Sequence, residues 1–326
     1  MLTSDQNRKI NEIVEEFKEA ADFYRMEYSE DLMGMFRDFG CMLLLKCKVD
    51  TEGKADLERL LEGRHKLKGT VKRQLMTVSE ELAQLWAPGE QDGSGDTGEY
   101  EGSQNVREMF QTALEEIFYF CLYSKGGKNR YLLPEETAKP LLRLLTFPEG
   151  MMAGNEGLMV LDTQCGAGSA LMAASRYLKN LRLMGYEKDE EMWAAAVIMS
   201  QLSGLEMELH LEDGARADLY ESCDLVISNP VYGTDTIKDE ELIDQLPGEL
   251  KTVRGRYHME LIRSMQALNF DGKAMLIVPN SFLFANRTES MKVRKWLLQS
   301  YSLEAIISLP EDTFMYSGVR SGVMVS

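Results

Sequence analysis

The spacing of apolar residues changes character about a third of the way along the chain. Before residue 126 apolar positions recur at helical intervals. Ile10, Ile13, Val14, Phe17, Ala20 and Ala21 line one face of a first helix, and Leu32 to Cys47 carry a second. Residues 55–86 form a third run, with Leu57, Leu60, Leu61, Leu75, Met76, Leu82 and Leu85 on its apolar side. Helical spacing returns from Val106 to Tyr123, and a Gly126-Gly127 turn closes this part. Residues 87–105, APGEQDGSGDTGEYEGSQN, lack aliphatics and are rich in Gly, Ser and acids, the composition of a flexible linker or mobile loop.

After about residue 130 short apolar runs end in turn residues: LMVLD (158–162), RLMGYE (182–187), DLVISN (224–229), AMLIVPN (274–280), LEAIISLP (303–310) and SGVMVS (321–326). Helical patterns at 169–179, 189–203, 257–269 and 288–300 separate them. This alternation predicts an α/β fold with a parallel or mostly parallel sheet. The chain is thus expected to hold an all-helical domain over 1–125 and an α/β domain over 126–326, without internal repeats.

Composition narrows the class. Of 326 residues, 44% are hydrophobic and 27% charged, as in a soluble globular protein large enough for two domains. No apolar run reaches the ~18 residues of a membrane span, and the opening MLTSDQNRKINEIVEEFKEA has no apolar signal core. Five scattered cysteines (Cys41, Cys47, Cys121, Cys165, Cys223), no CxxC pair and three histidines argue against a metal site and for reduced thiols in a cytoplasm. The formal charge is −17, from 36 Lys and Arg against 53 Asp and Glu. Arg64, His65, Lys66, Lys68, Lys72 and Arg73 form the only basic cluster expected, either a solvated helix face or a contact for nucleic acid or an acidic partner. A protein that grips phosphates alone usually has a basic surface. Either nucleic acid is not the substrate, or a basic partner supplies much of the grip.

Ligands of an open α/β sheet bind beyond the carboxyl ends of its strands. The first strand ends at Asp162, followed by Cys165-Gly166-Ala167-Gly168 and a helix from Ser169; the glycines permit a tight turn and close approach to a ligand. The second ends at Glu187, placed to accept from ribose hydroxyls. Asp213, in LEDGA, falls near the next strand end, ahead of a helix-like stretch, where an acid can accept from the adenine amine. Each acid alone reads equally as a helix cap or surface charge; three in order with a GxG point to a nucleoside cofactor. The fourth strand ends Ser228-Asn229-Pro230-Val231-Tyr232. An Asn oxygen and the following carbonyl can both accept from a conjugated amine, localising its lone pair, while an aromatic stacks on the flat group. The plainer alternative is an Asn-Pro turn after a buried strand.

Together these residues resemble the S-adenosylmethionine-dependent amino-methyltransferases, specifically the N-6 adenine DNA methylases. VLDTQCGAGSAL looks like their first motif and NPVY like their catalytic NPP(Y/F) motif. YLLPEETAKPLLRLL (131–145) resembles the segment that packs over the methionine end of the cofactor, and residues 258–314 resemble the modification subunit of type I restriction–modification systems. The resemblance implies a Rossmann-like methyltransferase sheet behind an N-terminal helical domain. It also implies S-adenosylmethionine held by Asp162, Cys165, Gly166, Gly168, Glu187, Asp213 and Asn229. Catalysis would fall to Asn229, Pro230 and Tyr232, with Tyr232, Phe282 and Phe284 walling an adenine flipped out of duplex DNA. A basic specificity subunit and a nuclease subunit are the implied partners.

Val231 stands where the family has a second proline, and Thr163 where a proline often follows the first-motif Asp. No target-recognition domain is visible over 233–256, and SGVMVS ends inside an apparent strand, as in a truncated chain or one lacking the family's C-terminal extension. The rival readings are a protein-glutamine methyltransferase, which suits the acidic charge, and a catalytically impaired assembly module, which Val231 favours. His210 and His258 lack ligand-spaced neighbours and read as structural or surface residues; neither Cys165 nor Cys223 has a base nearby.

Overall fold

The computed structural model describes residues 2–29, 31–50, 54–62, 67–86, 101–124, 132–145, 157–219, 223–230, 236–311, 313–314 and 320–326. The Gly126-Gly127 turn, most of the 87–105 linker, Arg64, His65, Lys66, Val231 and Tyr232 lie outside them. The chain divides into two compact units, Met1–Lys128 with Val197–Gly204, and Asn129–Ala196 with Leu205–Ser326.

The first unit is helical: α1 (Ser4–Glu27), α2 (Met33–Lys46), α3 (Ala55–Glu62), α4 (Gly69–Ala83) and α5 (Glu101–Leu122). A capping box starts α1: the Thr3 hydroxyl accepts from Gln6 N, and the Gln6 side chain accepts from Thr3 N. The apolar face read from the sequence is buried, from Ile10 to Tyr24. Phe17 meets Phe39 of α2 edge-on at 5.0 Å. The single run expected over 55–86 is broken into α3 and α4. Helix α5 begins at Glu101, inside the expected linker and ahead of Val106, the first apolar position of its pattern.

The second unit carries, in chain order, α6 (Glu135–Leu144), β1 (Leu158–Asp162), α7 (Ser169–Tyr177), β2 (Leu181–Glu187), α8 (Glu190–Ser203, whose end belongs to the first unit), β3 (Met207–Leu211), β4 (Cys223–Ser228), α9 (Glu240–Asp244), a 3-10 turn Gly248–Leu250, α10 (Arg256–Gln266), β5 (Leu268–Pro279), α11 (Asn280–Phe284), α12 (Thr288–Ser300), β6 (Ala305–Ser308) and β7 (Ser321–Val325). The seven strands lie in the order β3-β2-β1-β4-β5-β7-β6. Strands β1 to β5 are parallel, and β7 runs antiparallel to both neighbours.

Strand β3 is absent from the apolar runs because it is an edge strand whose Glu208 and His210 face outward, leaving only Leu209 buried. The helix expected after Asp213 does not form. Arg263 of α10 donates from Nε to Ala215 O (3.0 Å) and from Nη2 to Ala217 O (2.8 Å), so these carbonyls are held by a side chain rather than by helical amides. No helix among the described residues is long and apolar enough to cross a membrane. All five cysteines are buried free thiols.

Candidate active site

Because β1 to β5 are parallel, the segments after Asp162, Glu187, Leu211, Ser228 and Pro279 gather along one rim of the sheet. The turn after β1 is built by two glycines. Gly166 (φ +56°) and Gly168 (φ +78°) occupy the left-handed region, where a side chain would be strained. Cys165 N donates to Tyr186 O of β2 at 2.9 Å, and Gly168 N to Cys165 O at 2.8 Å. The buried Cys165 thiol packs on Gly185, and burial pushes it well above its ordinary range, out of use as a nucleophile.

Two carboxylates flank this turn. Asp162 is buried and accepts from Gln164 N (3.0 Å); burial raises its pKa to about 7, against the lowering effect of that bond, with nearby Glu187 adding to the rise. Glu187 is half-buried. One of its oxygens accepts from Gly166 N (3.0 Å) and the other from Asp189 N (2.7 Å), so it fastens the glycine turn to the end of β2. Burial raises its pKa too.

The chain after β3 closes over the same rim. Asp213 accepts from Ala215 N (3.2 Å) and from Arg256 Nη2 (2.7 Å). Arg256 also holds Glu260 at 2.8 Å, a buried acid that desolvation raises to about 7 despite the guanidinium. Gly214 passes so close to the turn after β1 that a Cβ there would collide with the Thr163 carbonyl and lie 2.9 Å from Tyr186 Cβ. Thr163, in the place of the usual proline, shares a 2.6 Å buried hydrogen bond with Ser264 of α10 and accepts from Gln164 Nε2 at 2.9 Å. Gly214, Arg256, Glu260 and Ser264 escaped the sequence reading. The GxG and the strand-end acids carry a local signature, whereas these residues meet the rim only through tertiary contacts.

Strand β4 pairs with β1 and delivers Asn229, half-buried, and Pro230, buried, to this rim. Ser228 Oγ and Gln164 Oε1 are buried without a hydrogen-bond partner among the described residues. Phe282 is enclosed, ring-to-ring with Tyr257 (5.8 Å) and His258 (5.9 Å), so it offers no open wall to a base; Phe284 is 74% exposed. His258 is structural, its Nε2 2.8 Å from Ser290 Oγ, and His210 stacks on Tyr186 at 4.5 Å. Among the described residues no group of three or more His, Cys, Asp or Glu is arranged to hold a metal.

A family model for N-6 DNA methylase matches residues 108–325. The chain belongs to that family. N-6 DNA methylases use S-adenosylmethionine, and the matched residues include the glycine turn, both acid-terminated strands and Asn229-Pro230. Among curated relatives, the chain is 24% identical over 295 residues to the type I restriction enzyme MjaVII methylase subunit of Methanocaldococcus jannaschii, covering 83% of this chain and 46% of that protein. It is 26% identical over 190 residues to the type II restriction enzyme and methyltransferase RM.BcgI of Heyndrickxia coagulans, covering 52% of this chain and 28% of that protein. The chain therefore spans less than half the length of either. The fold is shared with a proposed class I S-adenosylmethionine-dependent methyltransferase from Listeria monocytogenes, with TM-score 0.66, 18% identity, and 98% and 87% of the two chains covered. It is shared as well with a type I restriction–modification methyltransferase subunit from Streptococcus thermophilus, with TM-score 0.61, 16% identity, and 97% and 84% covered.

Proposed function

We propose that this N-6 DNA methylase transfers a methyl group to the exocyclic amine of an adenine flipped from duplex DNA, as the modification component of a restriction–modification system. The observation that carries the reading is the position of Asn229-Pro230 at the end of β4, beside the strand that ends in Asp162. The rim suits the cofactor in shape and chemistry. Its glycine turn leaves no side chain in the way, its carboxylates answer hydroxyl and ammonium groups, and Ser228 Oγ and Gln164 Oε1 are buried polar atoms ready for a ligand's hydrogen bonds. When bound, S-adenosylmethionine supplies a methyl group made electrophilic by its sulfonium.

Asp162, Cys165, Gly166, Gly168, Glu187 and Asp213 are assigned to holding it, and Asn229, which the resemblance also counts among the cofactor residues, is assigned to the target amine. Glu187 keeps lone pairs for the ribose hydroxyls beyond the two backbone bonds it makes, and Arg256 orients Asp213 towards the adenine ring. The Asn229 side-chain oxygen and the Pro230 carbonyl accept from the target amine, drawing its nitrogen towards a tetrahedral shape so that its lone pair is free to attack. Tyr232 stacks on the extruded base; Phe284 is the aromatic left available for a second wall, while Phe282 is enclosed by Tyr257 and His258. The helical unit, a basic specificity subunit and a nuclease subunit complete the assembly. The second reading, a methylase-like module without turnover, draws on Val231. Asn229→Ala decides the matter: transfer of labelled methyl to adenine-containing duplex is expected to vanish while calorimetric affinity for S-adenosylhomocysteine stays within about twofold. Wild-type protein that binds S-adenosylhomocysteine but transfers no methyl, with or without a specificity subunit, refutes the catalytic reading.

A further inference from the structure

The acidic total conceals a place where positive charge is concentrated by folding. Residues 285–295 (ANRTESMKVRK) hold four cations, Arg287, Lys292, Arg294 and Lys295, against one acid, Glu289. That acid is engaged by backbone, accepting from Arg254 N (2.9 Å) and Gly255 N (3.0 Å). The neighbouring segment adds Arg254. Four of the five cations lie within 287–295, a second basic stretch in addition to residues 64–73, and the fold adds Arg254 to it.

What the cations touch decides their effect. The Arg254 guanidinium donates to the carbonyls of Lys251 (2.7 Å) and Val253 (3.0 Å), Lys292 to the Thr252 hydroxyl (2.6 Å), and Arg294 to the carbonyls of Phe282 and Ala285. Partners of this kind fix a cation without cancelling its charge. Lys251 differs, being paired with Asp244 at 3.2 Å, and the acids of α9 lie on that side. Arg287, Met291 and Lys295 follow one another at i, i+4 and i+8 along α12, all exposed, and Phe284 stands just ahead of them. The result is a stripe of two cations and two exposed apolar side chains with three further uncancelled cations at its edges.

The stripe also borders the rim. Helix α11 leaves directly from the carboxyl end of β5, next to β4. The chain beyond Pro230 returns at Thr236, bridged to Gly255, with Ile237 N donating to Arg254 O at 2.7 Å. These connections put the start of α12 a few residues after the carboxyl end of β5, the end of the sheet that also carries Asn229 on β4.

We propose that the exposed face of α12, with Arg287 and Lys295 as phosphate contacts, Arg254, Lys292 and Arg294 as the supporting field and Phe284 as an apolar contact, docks the backbone of the duplex that supplies the target base. The proposal rests on the methylase reading above and names the surface through which that site receives its substrate. Cations set for phosphate contact are the source of salt-dependent, sequence-independent affinity, and an exposed aromatic beside them is suited to a displaced base or sugar.

The test uses the full chain and a fluorescein-labelled 20-base-pair duplex, titrated by anisotropy from about 50 to 200 mM KCl. Arg287→Glu/Lys295→Glu is expected to weaken binding at least tenfold at the lower salt and to reduce the salt slope by about 2. Arg287→Gln/Lys295→Gln should fall between. Affinity for S-adenosylhomocysteine should be unchanged in both, which reports an intact rim. Lys68→Glu/Lys72→Glu on α4 should bind DNA like wild type. Retained DNA affinity and slope in the charge-reversed protein overturns the proposal, as does an equal loss in the α4 variant or no duplex binding by wild type at 50 mM KCl. Fluorescein-labelled poly-glutamate bound by wild type and lost in the variant, with DNA binding unchanged, assigns the stripe to an acidic protein instead. A failed Asn229→Ala experiment leaves these binding outcomes readable, so the two readings fail separately.

Discussion

Replacing Asp162 by Asn should stabilise the free protein, and more so as pH rises. Asp162 has a pKa of about 7 in the folded chain against 3.8 as its ordinary value, and burial is the main cause. Between those values the folded state keeps a proton that the unfolded state has lost, so raising the pH across the window removes stability. A window of about 3 units at roughly 1.4 kcal/mol each corresponds to about 4 kcal/mol once pH passes 7. Asn mimics the protonated carboxyl and keeps an oxygen for Gln164 N, so it avoids this loss. Urea denaturation of both proteins at pH 5.5 and pH 8 reads the effect together with the smaller release of Glu187, whose repulsion with Asp162 the substitution also removes. The advantage of Asn at pH 8 should exceed that at pH 5.5 by about 2 kcal/mol, the share of the window above 5.5. The same substitution should weaken S-adenosylhomocysteine binding at pH 8. An advantage equal at both pH values, or a larger one at pH 5.5, would refute the assignment of a desolvated carboxylate at this rim.

Two further substitutions probe how the rim is held. Gly214→Ala forces a methyl against the Thr163 carbonyl and should cost about 1–3 kcal/mol in stability and displace the glycine turn, lowering S-adenosylhomocysteine affinity; Gly248→Ala, with nothing within 4 Å, should be neutral in both measurements. Ser264→Ala leaves the buried Thr163 hydroxyl without its partner on α10 and should cost about 1–3 kcal/mol, whereas adding Thr163→Val should recover part of that loss; additive losses in the double-mutant cycle would show that the two hydroxyls are not coupled.

The parts of this fold that announced themselves were those whose constraint is local. The Ile10–Tyr24 face of α1 repeats at helical period, β1, β4 and the end of β5 are short, nearly continuous buried runs, and Gly166 and Gly168 are required by backbone angles at their own positions. Elements whose shape is imposed from elsewhere were not legible. Strand β3 showed only through the acid that follows it: MELHL alternates apolar and polar residues along its pairing with β2, Leu183↔Met207 to Glu187↔Leu211, and forms no continuous apolar run. The stretch after Asp213 has helix-compatible residues, yet Arg263, nearly fifty positions later, takes its carbonyls. The enclosed ring of Phe282 illustrates the same limit: a motif position gives the residue type, while Tyr257 and His258 decide whether the ring is free.

The placement of β7 bears on how the chain reaches its folded state. Among the described strands, β6 pairs only with β7, which itself lies between β6 and β5. In a chain emerging from a ribosome, β1 to β5 can assemble in order of synthesis, but β6 appears before the strand that joins it to them. Until Ser321–Val325 is available, the open edge of β5 and the whole of β6 present unpaired backbone, the arrangement that invites strand exchange between molecules. Completion of the sheet is therefore a late step that closes two seams at once.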